Sequence, residues 1–200
     1  MDDLIKKATA NNKTVKIFAD SFAENPREWD NLSKMIFFGK HAHLGDKHEV
    51  KLEGSFNSRA EFMNSGKEIV SKQFKDVVIV KPVHLYEHSG TGISTSFKYP
   101  FNCEWDSGTV GFAIVTKQDI RNNFGVKRVT QELIDKADKI LEAEVETLNQ
   151  YVSGEVYSFV IEDETGEVID SCGGFYGSDI TTNGMSDHMD AELITELEKD

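Results

Sequence analysis

Two Trp-Asp pairs echo one another along the chain, Glu28-Trp29-Asp30-Asn31 and Glu104-Trp105-Asp106-Ser107. In each, a large aromatic precedes a carboxylate and a small polar residue. An indole face beside a carboxylate can hold a base, a sugar or an arginine. The same residues also suit two turns in which Asp accepts backbone N–H bonds while Trp packs in the core. His88-Ser89-Gly90 offers a base and a hydroxyl to a phosphate or a carbonyl. Neighbours in sequence become a nucleophilic pair only through geometry, and a polar strand–turn–strand explains them equally well. Together with Cys103 these residues define a candidate ligand pocket of Trp29, Asp30, His88, Ser89, Cys103, Trp105 and Asp106. No catalytic residue is assigned.

Metal and phosphate signatures are weaker. His84 and His88 stand four apart, which on a strand separates them by about 13 Å, too far for one ion. His41, His43, Asp46 and His48 cluster around two glycines, and Cys103 or Cys172 would join them only if the fold converged. There is no CxxC, no HExxH and no GxxxxGK[ST]. The Gly-Thr-Gly-Ile-Ser run after His88 is too short for a phosphate loop, and Asp163–Glu167 lacks the spacing of a calcium loop. No metal and no cofactor is expected.

The elements that must position these residues centre on 77–115, where three apolar, β-branched strands are joined by two turn-rich connections. Strands are also expected at 14–19, 35–38, 156–161 and 167–171, the last two joined by the hairpin signal Asp163-Glu164-Thr165-Gly166. Pro82, lacking an N–H, points to an edge, a bulge or a break in its strand. Ser58 with Glu61 opens a helix over about 57–74, weakened by Gly66. Thr116 caps a short helix that Gly125 ends. The strongest amphipathic pattern runs over 130–152 on Leu133, Ile134, Ala137, Leu141, Val145 and Leu148. Helices and strands without βαβ alternation predict an α+β fold, a largely antiparallel sheet flanked by the two main helices. The expected organisation is a flexible N-terminus over 1–13, a single α+β domain over 14–178, and an acidic tail or short helix over 179–200.

Charge supplies the other signal. The chain of 200 residues carries a net charge of −13, yet residues 129–200 hold 3 Lys/Arg against 19 Asp/Glu. Such a surface repels nucleic acid and attracts basic protein surfaces, or simply solvates a helix face. No apolar run approaches a membrane span, and the first residues lack the apolar centre of a signal peptide, so an intracellular protein with free thiols at Cys103 and Cys172 is expected.

The chain resembles a family of uncharacterised proteins found in bacteriophages and prophages. The likeness is carried by Asn25-Pro26-Arg27-Glu28-Trp29-Asp30-Asn31-Leu32, Leu44-Gly45-Asp46-Lys47-His48, Leu85-Tyr86-Glu87-His88-Ser89-Gly90 and the run from Cys103 to Phe112. The hairpin from Gly154 to Cys172 and Gly174-Phe175-Tyr176-Gly177 complete it. It implies a small accessory protein acting in the cytoplasm of a bacterial host. The function expected is inhibition of a host protein, a defence factor among the candidates. The acidic face of the 130–152 helix, with Glu132, Asp135, Asp138, Glu142 and Glu146 as contacts and with Asp187–Asp200 as an adjunct, would occlude a basic groove as a nucleic-acid mimic. Direct nucleic-acid binding and a membrane role are not expected, and the oligomeric state is not readable. The alternative is a small-molecule or nucleotide binder, or a hydrolase, built on the His88, Cys103, Trp105 and Asp106 pocket.

Overall fold

The computed structural model describes residues 3–52, 58–96 and 106–199. In chain order the elements are β1 (Leu4–Ala10), β2 (Lys13–Ala19), β3 (Lys34–Phe37), α1 (Arg59–Gln73), β4 (Val77–Glu87), β5 (Thr91–Ser94), β6 (Ser107–Thr116), α2 (Lys117–Phe124), α3 (Gln131–Ser153), β7 (Val156–Glu162), β8 (Val168–Tyr176) and α4 (Ala191–Leu197). Short 3₁₀ helices lie at Pro26–Glu28, Gly39–Leu44 and Met185–His188. The α+β class expected from the sequence is what the chain adopts, with antiparallel strands throughout but in two sheets rather than one. Among the described residues no helix is long and apolar enough to cross a membrane.

The chain divides into two compact units, where one domain over 14–178 was expected. A split unit combines residues 1–25 and 150–200, and an inserted unit takes residues 26–149. Alternation locates strands but not their partners, and β2 pairs with β7 across the whole insertion, Val15 opposite Ile161 and Ile17 opposite Phe159.

In the inserted unit the sheet order is β3-β6-β4-β5. Residues alternate between its faces, so Ile36, Phe112 and Ile114 turn one way and pack with Val70, Phe62 and Phe74 of the α1 segment. Gly66 has its reason here. A Cβ at that position would stand 2.6 Å from the Phe112 ring, so only glycine lets α1 approach the sheet so closely. Ser58 caps α1 by accepting the Glu61 N–H, as the sequence motif indicates.

On the opposite face Met35, Ala113 and Lys81 share one cross-strand row. Helix α3 lies against it and buries Ala137, Leu141, Val145 and Leu148. Lys81 is only 7% exposed and its ammonium bonds Asp138 and Glu142 of α3 at 2.8 and 2.7 Å. Farther along α3, Glu144 accepts the Leu32 and Ser33 N–H groups, and Asn149 accepts that of Ile93 in β5. Arg27 adds a bidentate bond to Asp46, which also takes the Met35 N–H. Pro82 stays within β4, beside a register shift at Val83/His84 and just before the β5 pairing begins at His84.

The split unit is the sheet β1-β2-β7-β8. Ala8, Val15, Ile17, Phe159, Ile161 and Phe175 form its core with Met185, Leu193 and Leu197. Residues 1–13, expected to be flexible, instead supply β1 and a tight turn to β2. Asn11 and Asn12 both take positive φ, 49° and 60°, the geometry of a type I′ hairpin. Of the acidic tail or short helix expected over 179–200, the structure has the helix, and that helix is part of the core. Helix α4 inserts Leu193 and Leu197, each 1% exposed, while Glu192 is exposed and Glu196 partly so.

Candidate functional site

Of the pocket residues named from the sequence, His88 and Asp106 come together. Strands β4 and β6 pair Tyr86 with Ser107, and the Glu87 N–H bonds the Asp106 carbonyl at 2.7 Å, which sets the residues just beyond each strand side by side. His88 Nδ1 then lies 3.2 Å from an Asp106 carboxylate oxygen. Ser89 is exposed in the turn closed by the His88 N–H and the Gly90 carbonyl. Trp29 and Asp30 sit elsewhere. Trp29 is 43% exposed rather than a core residue. Asp30 lines a separate concavity of about 210 Å³ with Asn31, Asp119 and Asn122. The turn at Glu28-Trp29-Asp30-Asn31 is closed by the Asn31 amide, which donates to the Pro26 and Trp29 carbonyls. Cys103 and Trp105 lie outside the described residues.

Asp106 also lines a concave site of about 520 Å³ that sequence reasoning missed. Its apolar floor is Phe38, Phe62, Leu85 and Val110, and its polar rim is Lys40, His41, Glu87 and Ser107. The 3₁₀ helix Gly39–Leu44 follows β3, and Phe38 bonds Val110, so this helix closes one side of the sheet end that β4 and β6 form on the other. The signal for it lay in pairing rather than in any motif. Lys40 bonds Glu87 at 2.7 Å, and this ion pair holds the Glu87 carboxyl below the usual carboxylate range. Burial and the Lys40 charge push His41 below the usual imidazole value. An aromatic floor under rim charges of both signs suits a flat, polar-edged small molecule.

The remaining histidines have structural partners. His84 is fully buried and its ring nitrogens bond the Thr109 hydroxyl and the Ser96 carbonyl, each at 3.0 Å. His48 bonds the Phe37 carbonyl at 2.7 Å, and Asp46 is taken by Arg27. Among the described residues no group of three His, Cys, Asp or Glu side chains could hold a metal ion. Cys172 is an exposed free thiol on β8.

The α3 acids named from the sequence divide. Asp138 and Glu142 neutralise Lys81. Glu132 pairs with Lys136 at 2.7 Å, and Asp135 accepts the Gln131 amide. Glu146 is exposed. Counted by unit, the acidity lies elsewhere. The inserted unit carries 17 Lys/Arg and 18 Asp/Glu, a balance of −1, whereas the split unit carries 5 and 17, a balance of −12. Glu164, Glu167, Asp170, Asp187, Glu192 and Glu198 are exposed there, on the β7–β8 hairpin, the segment before α4, and α4.

No family model, no curated protein and no solved structure matches the chain.

Proposed function

We propose that this chain is a binding protein that engages a basic surface on a partner through the acidic exterior of its split unit. The observation that carries this reading is the segregation of charge, −12 on one unit and −1 on the other. A field concentrated on one body attracts and orients an oppositely charged partner, and it repels nucleic acid. The resemblance to bacteriophage proteins supplies the kind of partner. It is a host protein, a defence factor foremost, whose basic surface serves nucleic acid and is inhibited when an acidic body occludes it. Glu164, Glu167, Asp187 and Glu192 are the leading contacts. Glu132, Asp135 and Glu146, exposed on α3, form a second set.

The test is a pull-down from a bacterial host with the tagged chain in low and high salt, beside a variant with Glu164→Lys, Glu167→Lys, Asp187→Lys and Glu192→Lys. A nucleic-acid-binding partner is expected at low salt, reduced by salt and lost with the variant. A partner retained equally under all three conditions would sink the reading.

The concave site in the inserted unit supports a second reading, small-molecule binding, because Asp106 both lines it and orients His88. A ligand bound there raises the melting temperature of the chain, and Asp106→Asn together with Phe62→Ala removes that rise. A screen of nucleotides and sugars that shifts neither protein argues against it.

A further inference from the structure

We propose that strand β8 is a docking edge, which takes an extended, lysine- or arginine-bearing segment of a partner protein as a fifth strand of the split unit's sheet. The inference rests on the reading that this unit binds a basic partner, and it adds the mode. Strand β8 is last in the order β1-β2-β7-β8, and among the described residues no strand pairs with its outer side. An open edge presents N–H and C=O groups ready to pair with another chain, and soluble proteins blunt such edges with lysine, proline or shortness. Strand β8 has no lysine or proline and is not short, and its bulges, at Ile169 and at Gly173-Gly174, only bound its straight part. It is nine residues long, Val168-Ile169-Asp170-Ser171-Cys172-Gly173-Gly174-Phe175-Tyr176.

Its side chains from Val168 to Gly174 are all exposed, with Val168 at 60% and Ile169 at 50%. Glu162 stands opposite Val168 and Ile161 opposite Asp170, so the extra residue at Ile169 sets Val168 on one face of the sheet and Asp170 on the other. Asp20 closes the far end by taking the Gly174 N–H at 2.9 Å, which leaves residues 168–172 as the open stretch. Register with β7 is regular over Ile161–Asp170, Val160–Ser171 and Phe159–Cys172, between a bulge at Ile169 and another at Gly173-Gly174, so residues 170–172 are the straight part of the open edge.

Charge selects the occupant. Glu164 and Glu167 flank the stretch and Asp170 lies within it, all three exposed, and from residue 150 onward Lys199 is the sole lysine or arginine. The opposite edge, β1, carries Lys6 and Lys7 and would favour a different strand. Backbone pairing supplies affinity in strand addition, and alternate side chains supply selectivity. Lysines on the incoming strand meet Glu167 and Asp170 while its apolar residues meet Val168 and Ile169.

The test uses the full chain and a decapeptide of alternating lysine and valine, beside the same peptide N-methylated at every backbone nitrogen. The second keeps the charge and removes every donor. At low ionic strength the plain peptide is expected to bind at least tenfold tighter. It should also slow hydrogen exchange at alternate amides of residues 168–172 tenfold or more. Ile169→Lys in the chain should erase the difference between the peptides. Equal binding of both peptides with no protection in β8 overturns strand addition and leaves the acidic-partner reading standing. Binding of neither overturns both. Protection of 168–172 that rises with protein concentration in the absence of peptide overturns the proposal in favour of a second copy of this chain.

Discussion

Lys81 carries its ammonium into the inserted unit between a sheet and a helix. Burial alone would lower its pKa, but the hydrogen bonds and charges of Asp138 and Glu142 more than reverse this and hold it above the ordinary lysine value. A pKa raised on folding contributes stability that is whole below the unfolded value of about 10.4 and fades as pH climbs through the folded one. Lys81→Met is therefore expected to cost about 1–2 kcal/mol at neutral pH, because the two half-exposed carboxylates keep some water. Its stability should fall less steeply than that of the parent above pH ~10. Urea melts of both proteins across the alkaline range check both expectations. The residue scale was also where motifs said least. His84 and His88 look alike in the sequence, yet one is fully buried and bonded on both nitrogens while the other stands at the surface against Asp106. The difference comes from β5, which pairs His84 with Ser94 and leaves His88 beyond the ladder.

At the scale of elements, glycine in the middle of α1 looks like a weakness and acts as a fitting. Gly66→Ala ordinarily helps a helix by about 1 kcal/mol. Here the added methyl meets Phe112, so a net loss of about 1–3 kcal/mol is expected. Phe112→Leu in the same chain should recover part of it, read by thermal melting of the single and double variants. Helix α2 opens on a full capping box, Thr116 accepting the Asp119 N–H and Asp119 accepting the Thr116 N–H in return. Burial would raise the Asp119 carboxyl, but Lys34 at 2.5 Å and the Thr116 bonds hold it below its usual value. Its contribution is present above the unfolded pKa of about 3.9 and lost as pH falls through the folded one. Asp119→Asn should thus cost about 1 kcal/mol at pH 7 and little at pH ~2, measured by urea unfolding at each pH. Both long helices, the α2 cap and the β7–β8 hairpin were legible because each is written locally. The β1–β2 hairpin was equally local in Asn11-Asn12, but its polar composition read as a frayed end.

For the whole molecule, the sequence showed that acidity gathers late in the chain, and the structure shows which body it charges. Self-repulsion within a unit of charge −12 opposes its compactness, and salt relieves it. Hydrogen exchange of the β2, β7 and β8 amides is expected to slow as sodium chloride is raised to physiological strength. The β4 and β6 amides of the near-neutral unit should stay unchanged. Equal responses in the two sheets would refute that assignment. The division into units was hidden for a physical reason. The alternation of β2 and β7 marks each as a half-buried strand, and nothing in either names a partner on the far side of an insertion. The concave site was hidden similarly, since Phe38, Phe62 and Glu87 meet only through the register of β3, β4 and β6.

The split unit has a consequence for how the protein is born. Strand β2 ends at Ala19 and its partner β7 begins at Val156, and a ribosome adding about 5–20 residues per second needs of the order of ten seconds to cover that gap. Meanwhile the inserted unit has every strand of its sheet once Thr116 is out. The middle of the nascent chain can settle while its leading hairpin waits, with one side of β2 still vacant. Residues 1–149 carry 21 Lys/Arg and 22 Asp/Glu, whereas residues 150–200 carry 1 and 13. The chain would therefore stay close to neutral while the inserted unit forms and gain its negative field only as the split unit is completed.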